Sequence, residues 1–225
     1  MLGMTYLRRM AAPRTQAPDM IAVISPTLPP LGASAFMPGA QTLFLALNLA
    51  WAACEIWLNL RRRALDNGGR DAGTLGLLWR VLGLAIVAAV CITVSGYGHL
   101  PADWLVPARW VGCVLLAAGL LLRVWSIRVL ARFFTVDVKV HADHELIERG
   151  PYRWVRHPSY TGALLAFVGL GVGLGNMLAL PVLVVPVAWA FWRRIEVEEA
   201  ALRVAFPVAY PVYAGRAGRL LPRFW

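Results

Sequence analysis

Charge is what this sequence has least of. Only 15% of its 225 residues are Asp, Glu, Lys or Arg, where a soluble domain carries about 25%. So few charges cannot cover a water-facing surface of that size, which excludes a soluble globular enzyme. The 59% hydrophobic content excludes a disordered chain. Acids are scarcer than bases, 12 against 22, for a net charge of +10. With a mean hydropathy of +0.61, that excess belongs in the cytoplasmic loops of a membrane protein, and no nucleic-acid partner is needed to explain it. Cysteine is sparse: Cys54, Cys91 and Cys113 each sit in an apolar stretch and form no CxxC pair, which excludes a disulfide framework or a zinc ribbon. A phosphate-cradling loop is missing as well, because Gly169-x-Gly171-x-Gly173-x-Gly175 lies in an apolar run with no strand before it.

What remains is a series of apolar segments. Residues 1–37, broken by five prolines, read as a loosely ordered tail with a short interfacial stretch near Met20–Ile24. Spans are expected at about Ala40–Leu60, Thr74–Tyr97 and Ala108–Leu130, each close to the roughly 20 residues needed to cross hydrocarbon. Tyr160–Trp192 is 33 residues without a charge, too long for one span, so it reads as a helical hairpin. Gly169 to Gly175 should lead into a reversal at Asn176, with Pro181 and Pro186 bending the returning helix. The expected fold is an all-α polytopic membrane protein of about five transmembrane helices. Residues 38–130 would hold the first three, and 131–225 a cytoplasmic loop, the hairpin and a cytoplasmic C-terminal helix. Fifteen of the 22 Lys and Arg fall on the same side as Arg61–Arg63, four on the other and three within spans, which places the carboxyl end in the cytoplasm.

Polar chemistry crowds into two segments on that cytoplasmic side. The first, 133–162, carries His141, His144 and His157 with Tyr152, Trp154 and Tyr160. Rings can stack on a base or a cation, and backbone N–H groups in turns can hold a carboxylate. The plainer reading is an ordinary interfacial aromatic belt. His141-x-x-His144 lacks a third fixed ligand, so no metal is expected. In the second segment, Arg194 and Glu198 are four apart on one helix face. That is either an exposed ion pair worth about 0.3–0.5 kcal/mol or an anion-binding arginine held by a carboxylate. Glu55, Arg80 and Arg123 lie within spans and read as snorkelling side chains or one interhelical pair.

Gly150-Pro151-Tyr152-x-x-x-Arg156-His157-Pro158-Ser159-Tyr160-x-Gly162 resembles the signature of the isoprenylcysteine carboxyl methyltransferases, with a looser likeness to phospholipid methyltransferases. A second block agrees: Arg194-x-x-x-Glu198-Glu199-x-x-Leu202-x-x-x-Phe206-x-x-x-Tyr210-x-x-Tyr213, closing on Arg219-x-x-Pro222. The resemblance covers about 130–222. It implies an integral membrane methyltransferase that uses S-adenosyl-L-methionine on a lipophilic acceptor (a carboxylate, phenol or thiol), enclosed on the cytosolic side. It further implies that His144, Glu145, Leu146, Ile147, Tyr152, His157, Pro158, Ser159, Tyr160 and Glu198 contact the cofactor and that Arg194 is catalytic. Phe206-Pro207 departs from the family's usual Phe-Gly, at the turn after the last long helix. The competing classes are a membrane reductase using NADPH and a non-enzymatic scaffold or transporter subunit. In a transporter, Glu55, Arg80 and Arg123 would line a path across the bilayer, whereas here the polar groups gather on one face.

Overall fold

The computed structural model describes residues 38–63, 73–131 and 145–223. The tail 1–37 and the loop 132–144, with His141 and His144, lie outside the described residues. Six α-helices follow one another: α1 Pro38–Arg63, α2 Thr74–Val94, α3 Ala102–Leu130, α4 Pro158–Gly173, α5 Ala179–Ala205 and α6 Ala209–Arg216, with a 3₁₀ turn at Gly150–Arg153 before α4. The described residues contain no strand, only two isolated bridges. By length and composition α1, α2 and α3 can each cross a membrane. Helix α4 has 16 residues, about 24 Å of helix. Helix α5 is apolar from Ala179 to Phe191 and charged beyond Trp192. Leu84, Val87, Val114, Leu121 and Val185 stay exposed, as lipid-facing side chains do. This is an all-α integral membrane protein.

The hairpin is present, but its glycines do something other than lead into the turn. Gly169, Gly171 and Gly173 lie inside α4, and only Gly175, at φ +65°, makes the reversal. A Cβ on Gly119 of α3 would sit 2.5 Å from the Gly162 carbonyl, one on Gly169 would sit 2.6 Å from the Leu116 amide, and one on Gly112 would sit 2.7 Å from Gly173 Cα. These residues bring α3 and α4 into backbone contact, the small-residue packing that substitutes for a hydrophobic driving force in lipid. Asn176 then starts the return: its Oδ1 accepts from the amides of Leu178 and Ala179, both at 2.9 Å, and its Nδ2 donates to the Tyr97 carbonyl at 2.7 Å. Pro181 falls in the first turn of α5, where no intrahelical N–H is required, and Pro186 lies further inside. The core between these helices joins Trp51, Leu78, Leu116, Ala166, Phe167, Leu183, Val187 and Phe191.

Of Glu55, Arg80 and Arg123, the first and last pair. Glu55 of α1 and Arg123 of α3 form an ion pair that includes a 2.7 Å hydrogen bond. Arg80 donates to its own helix at Gly76 and stays exposed. The proline of Phe206-Pro207 is accommodated because α5 has already ended. The Phe206 amide closes onto Leu202 at 2.8 Å, Phe206 at φ −126° and ψ 67° has left the helical region that a following proline disfavours, and its carbonyl accepts from Tyr210 as α6 begins.

Candidate active site

The sequence places a short aperiodic stretch, 150–157, between α3 and α4, and the chain's last segment zips onto it. Gly150 takes φ +60° and Pro151 opens the 3₁₀ turn. The Gly218 amide donates to Trp154 at 3.0 Å, Arg156 donates to Gly218 at 2.8 Å and His157 to Arg219 at 3.2 Å, a short parallel pairing. Thr161 Oγ1 donates to the Leu220 carbonyl at 2.7 Å and Tyr213 OH to that of Tyr152 at 2.7 Å. Pro158 then starts α4 at a position where a missing N–H costs nothing.

Onto this platform α5 brings three charged residues. Arg194 is only 3% exposed. Its Nε donates to Tyr160 OH at 2.8 Å and lies 3.2 Å from Glu198 Oε1, while NH1 reaches Thr74 Oγ1 at 3.4 Å. The Tyr160 hydroxyl donates in turn to Glu198. Glu198 and Glu199 are consecutive, so about 100° apart around the helix, and they serve different partners. Glu199, with no exposed surface, meets Arg219 at 2.8 Å, Arg156 at 3.1 Å and Arg203 at 3.4 Å. His157 lies between the two acids, Nε2 at 3.4 Å from Glu199 and Nδ1 at 3.6 Å from Glu198. The His157, Tyr160 and Phe191 rings follow one another at centroid separations of 5.9 and 5.0 Å, and Arg219 covers the Trp192 ring at 4.4 Å.

The electrostatics follow from burial and these partners. Burial alone would raise the Glu199 pKa. Hydrogen bonds from His157 and Arg219 and the charge on Arg156 outweigh it and bring the carboxyl down to about 2. Burial, seconded by the Glu198 charge, pushes the Tyr152 phenol well up, and burial does the same for Tyr213.

Of the residues expected from sequence, His157, Tyr160, Arg194 and Glu198 come together directly. Tyr152 is buried in the same loop, and Pro158 is buried at the head of α4. Ser159 is buried and takes hydrogen bonds from Arg123 on its hydroxyl, at 3.0 Å, and on its carbonyl, at 3.2 Å. Leu146 packs against Tyr210 and Tyr213. Ile147 is half-buried and Glu145 exposed, and His144 lies outside the described residues. The Arg194–Glu198 pair is no surface bridge, since its arginine is buried. Sequence reasoning passed over Glu199 and its arginines. The signal was the doubled acid, whose basic partners Arg156, His157 and Arg219 are distant along the chain.

Known proteins resemble the chain in this region. A family model described as phospholipid methyltransferase matches residues 107–208. A probable protein-S-isoprenylcysteine O-methyltransferase of Oryza sativa subsp. indica is 36% identical over 129 residues, 56% of this chain and 66% of that one. The cobalt-zinc-cadmium resistance protein CzcN of Cupriavidus metallidurans is 30% identical over 162 residues, 72% of this chain and 68% of that one. The structure of the eukaryotic intramembrane Ras methyltransferase ICMT, an isoprenylcysteine carboxyl methyltransferase, aligns with a TM-score of 0.53 and 26% identity, covering 62% of this chain and 51% of that one. The chain belongs to the isoprenylcysteine carboxyl methyltransferase family. It spans between about half and two thirds of the length of the rice protein and the solved relative. The segment that the family model matches includes α4, α5 and the His157, Tyr160, Arg194 and Glu198 cluster.

Proposed function

We propose that this protein is an integral membrane methyltransferase that moves the methyl group of S-adenosyl-L-methionine onto a lipophilic acceptor, with its site facing the cytoplasm. The observation that carries the reading is the linkage of the buried Arg194 to Tyr160 and Glu198, set where α5 passes from apolar to charged. The donor set suits the cofactor. Glu198 keeps 23% of its side chain exposed while Arg194 keeps 3%, so a carboxylate remains available to an ammonium group. The His157 and Tyr160 rings offer faces to a base or a sulfonium. Tyr152, Pro158 and Ser159 would wall the same pocket, and the strip His144, Glu145, Leu146, Ile147 would complete it from the loop.

The bound cofactor would supply an already activated methyl group, so the protein's task is alignment in a water-poor site. Arg194 would orient the acceptor's oxygen anion, and Tyr160 and Glu198 hold its guanidinium so that the orientation is set beforehand. A carboxylate acceptor needs no base. A phenol or thiol would need to lose a proton, and His157 or Glu198 would be the candidates to take it. An acceptor carrying a prenyl or similar chain would reach the site from between the helices, while the cofactor enters from water. An arrangement of about five spans, with the carboxyl end in the cytoplasm, would put both entrances where their ligands are.

Two measurements test this. Purified protein given methyl-labelled S-adenosylmethionine and a membrane extract should label a lipophilic product. S-adenosylhomocysteine should bind with a micromolar dissociation constant by calorimetry. Protection against heating by NADPH, with none by S-adenosylmethionine, would move the reading to a reductase.

A further inference from the structure

The Glu55–Arg123 pair is a charged contact that joins two of the long apolar helices, and the cluster described above does not use it. Ionisable groups inside a membrane are costly and mark a role by default. The simplest role would be to fasten α1 to α3. The geometry points further. Arg123 splits its guanidinium: Nε and NH2 engage Glu55, while NH1 turns to α4 and donates to both the hydroxyl and the carbonyl of Ser159. The carboxylate is itself held by Trp51 Nε1 at 3.2 Å. Arg123 reaches Ser159 only because Gly119 and Gly162 bring the backbones of α3 and α4 together; a Cβ on Gly162 would lie 2.8 Å from the Arg123 amide.

Ser159 sits between Pro158 and Tyr160 in the first turn of α4. Two residues before it, His157 faces both acids, and the residue after it bonds Arg194 and Glu198. We infer that Arg123, oriented by Glu55, is a positioning residue that sets the first turn of α4 and thereby aims His157 and Tyr160 at the cofactor. The inference rests on the reading of that cluster as a sulfonium-nucleotide site. A rigid planar fork suits the task, since it can serve a carboxylate along one edge and a serine along the other.

The test uses the full chain in detergent, with S-adenosylhomocysteine as probe and thermal unfolding as a separate readout. Arg123→Met should weaken binding about tenfold and lower the melting temperature. Glu55→Gln keeps an acceptor for Arg123 and should bind within about twofold of wild type. The charge swap, Glu55→Arg with Arg123→Glu, restores opposite charges but leaves no donor for the Ser159 carbonyl. It should regain melting temperature and not affinity. If the swap recovers affinity together with stability, or if Arg123→Met binds like wild type, the pair is a fastening and nothing more. Should Arg123→Met fail to fold, the swap and Glu55→Gln still decide. Wild-type protein that binds no S-adenosylhomocysteine would overturn the underlying reading of the site, a result distinct from any difference among variants.

Discussion

Replacing Glu199 with glutamine keeps the shape of the side chain and removes a charge to which three arginines and a histidine are turned. The fall of the carboxyl pKa from 4.5 to about 2 corresponds to about 3 kcal/mol of pH-linked stability. Because the folded-state value is depressed, this stability is present above pH 4.5 and is lost as the pH falls toward 2. For a chain of this size each kcal/mol moves the melting temperature by about 2–4 °C. Glu199→Gln, which leaves Arg156 and Arg219 without a counter-charge, should therefore melt about 6–12 °C below wild type at pH 6. The gap should shrink by about half at pH 3. Unfolding in detergent, followed by tryptophan fluorescence, measures it, since Trp192 stacks under Arg219. The comparison is between the two proteins at each pH, so carboxylates common to both cancel. A gap that stays constant from pH 6 to pH 3, or no gap at pH 6, refutes the argument that Glu199 is an ionised hub.

Four further outcomes follow from the same structure. Arg194→Ala should cut methyl transfer by about a hundred- to a thousandfold while the protein still inserts and binds S-adenosylhomocysteine, read by single-turnover transfer beside calorimetry. Tyr160→Phe removes the hydroxyl shared by Arg194 and Glu198 and should weaken S-adenosylhomocysteine binding measurably, with little loss of fold by circular dichroism. Gly119→Leu would force side-chain atoms into the α4 backbone and should abolish monodisperse protein in size-exclusion chromatography. Arg203→Ala, by contrast, removes a half-exposed partner of Glu199 and should cost less than about 1 kcal/mol, seen as a melting shift of a few degrees at most.

The spans were legible because lipid imposes a simple rule: backbone bonds must close within the segment, so long apolar runs become helices. Thr74 and Leu130 were placed at helix ends from sequence, while α3 begins earlier, at Ala102, because Pro101 and Asp103 start a helix that composition alone does not show. The hairpin was legible from an uncharged run, whereas the work of its glycines was not, since period and composition do not say which helix a small residue faces. At the site, two ordered blocks pointed to His157, Tyr160, Arg194 and Glu198, and the structure puts these side chains in contact. The Glu199 hub was invisible because its partners, Arg156 and Arg219, come from elements 63 residues apart in the chain, and only the tail pairing brings them together.

That tail pairing dictates an order of events in biogenesis. Trp154 to His157 cannot acquire their backbone partners at Gly218 and Arg219 until both arms of the intervening hairpin have been delivered into the lipid and the final stretch has emerged from the ribosome. Closure over such a sequence separation is entropically late. A newly made chain would thus be threaded into the bilayer before the stretch ahead of α4 is fixed, and a fusion partner or cleavage that disturbs residues 217–220 would leave a well-inserted protein whose Trp154–His157 stretch lacks its backbone partners.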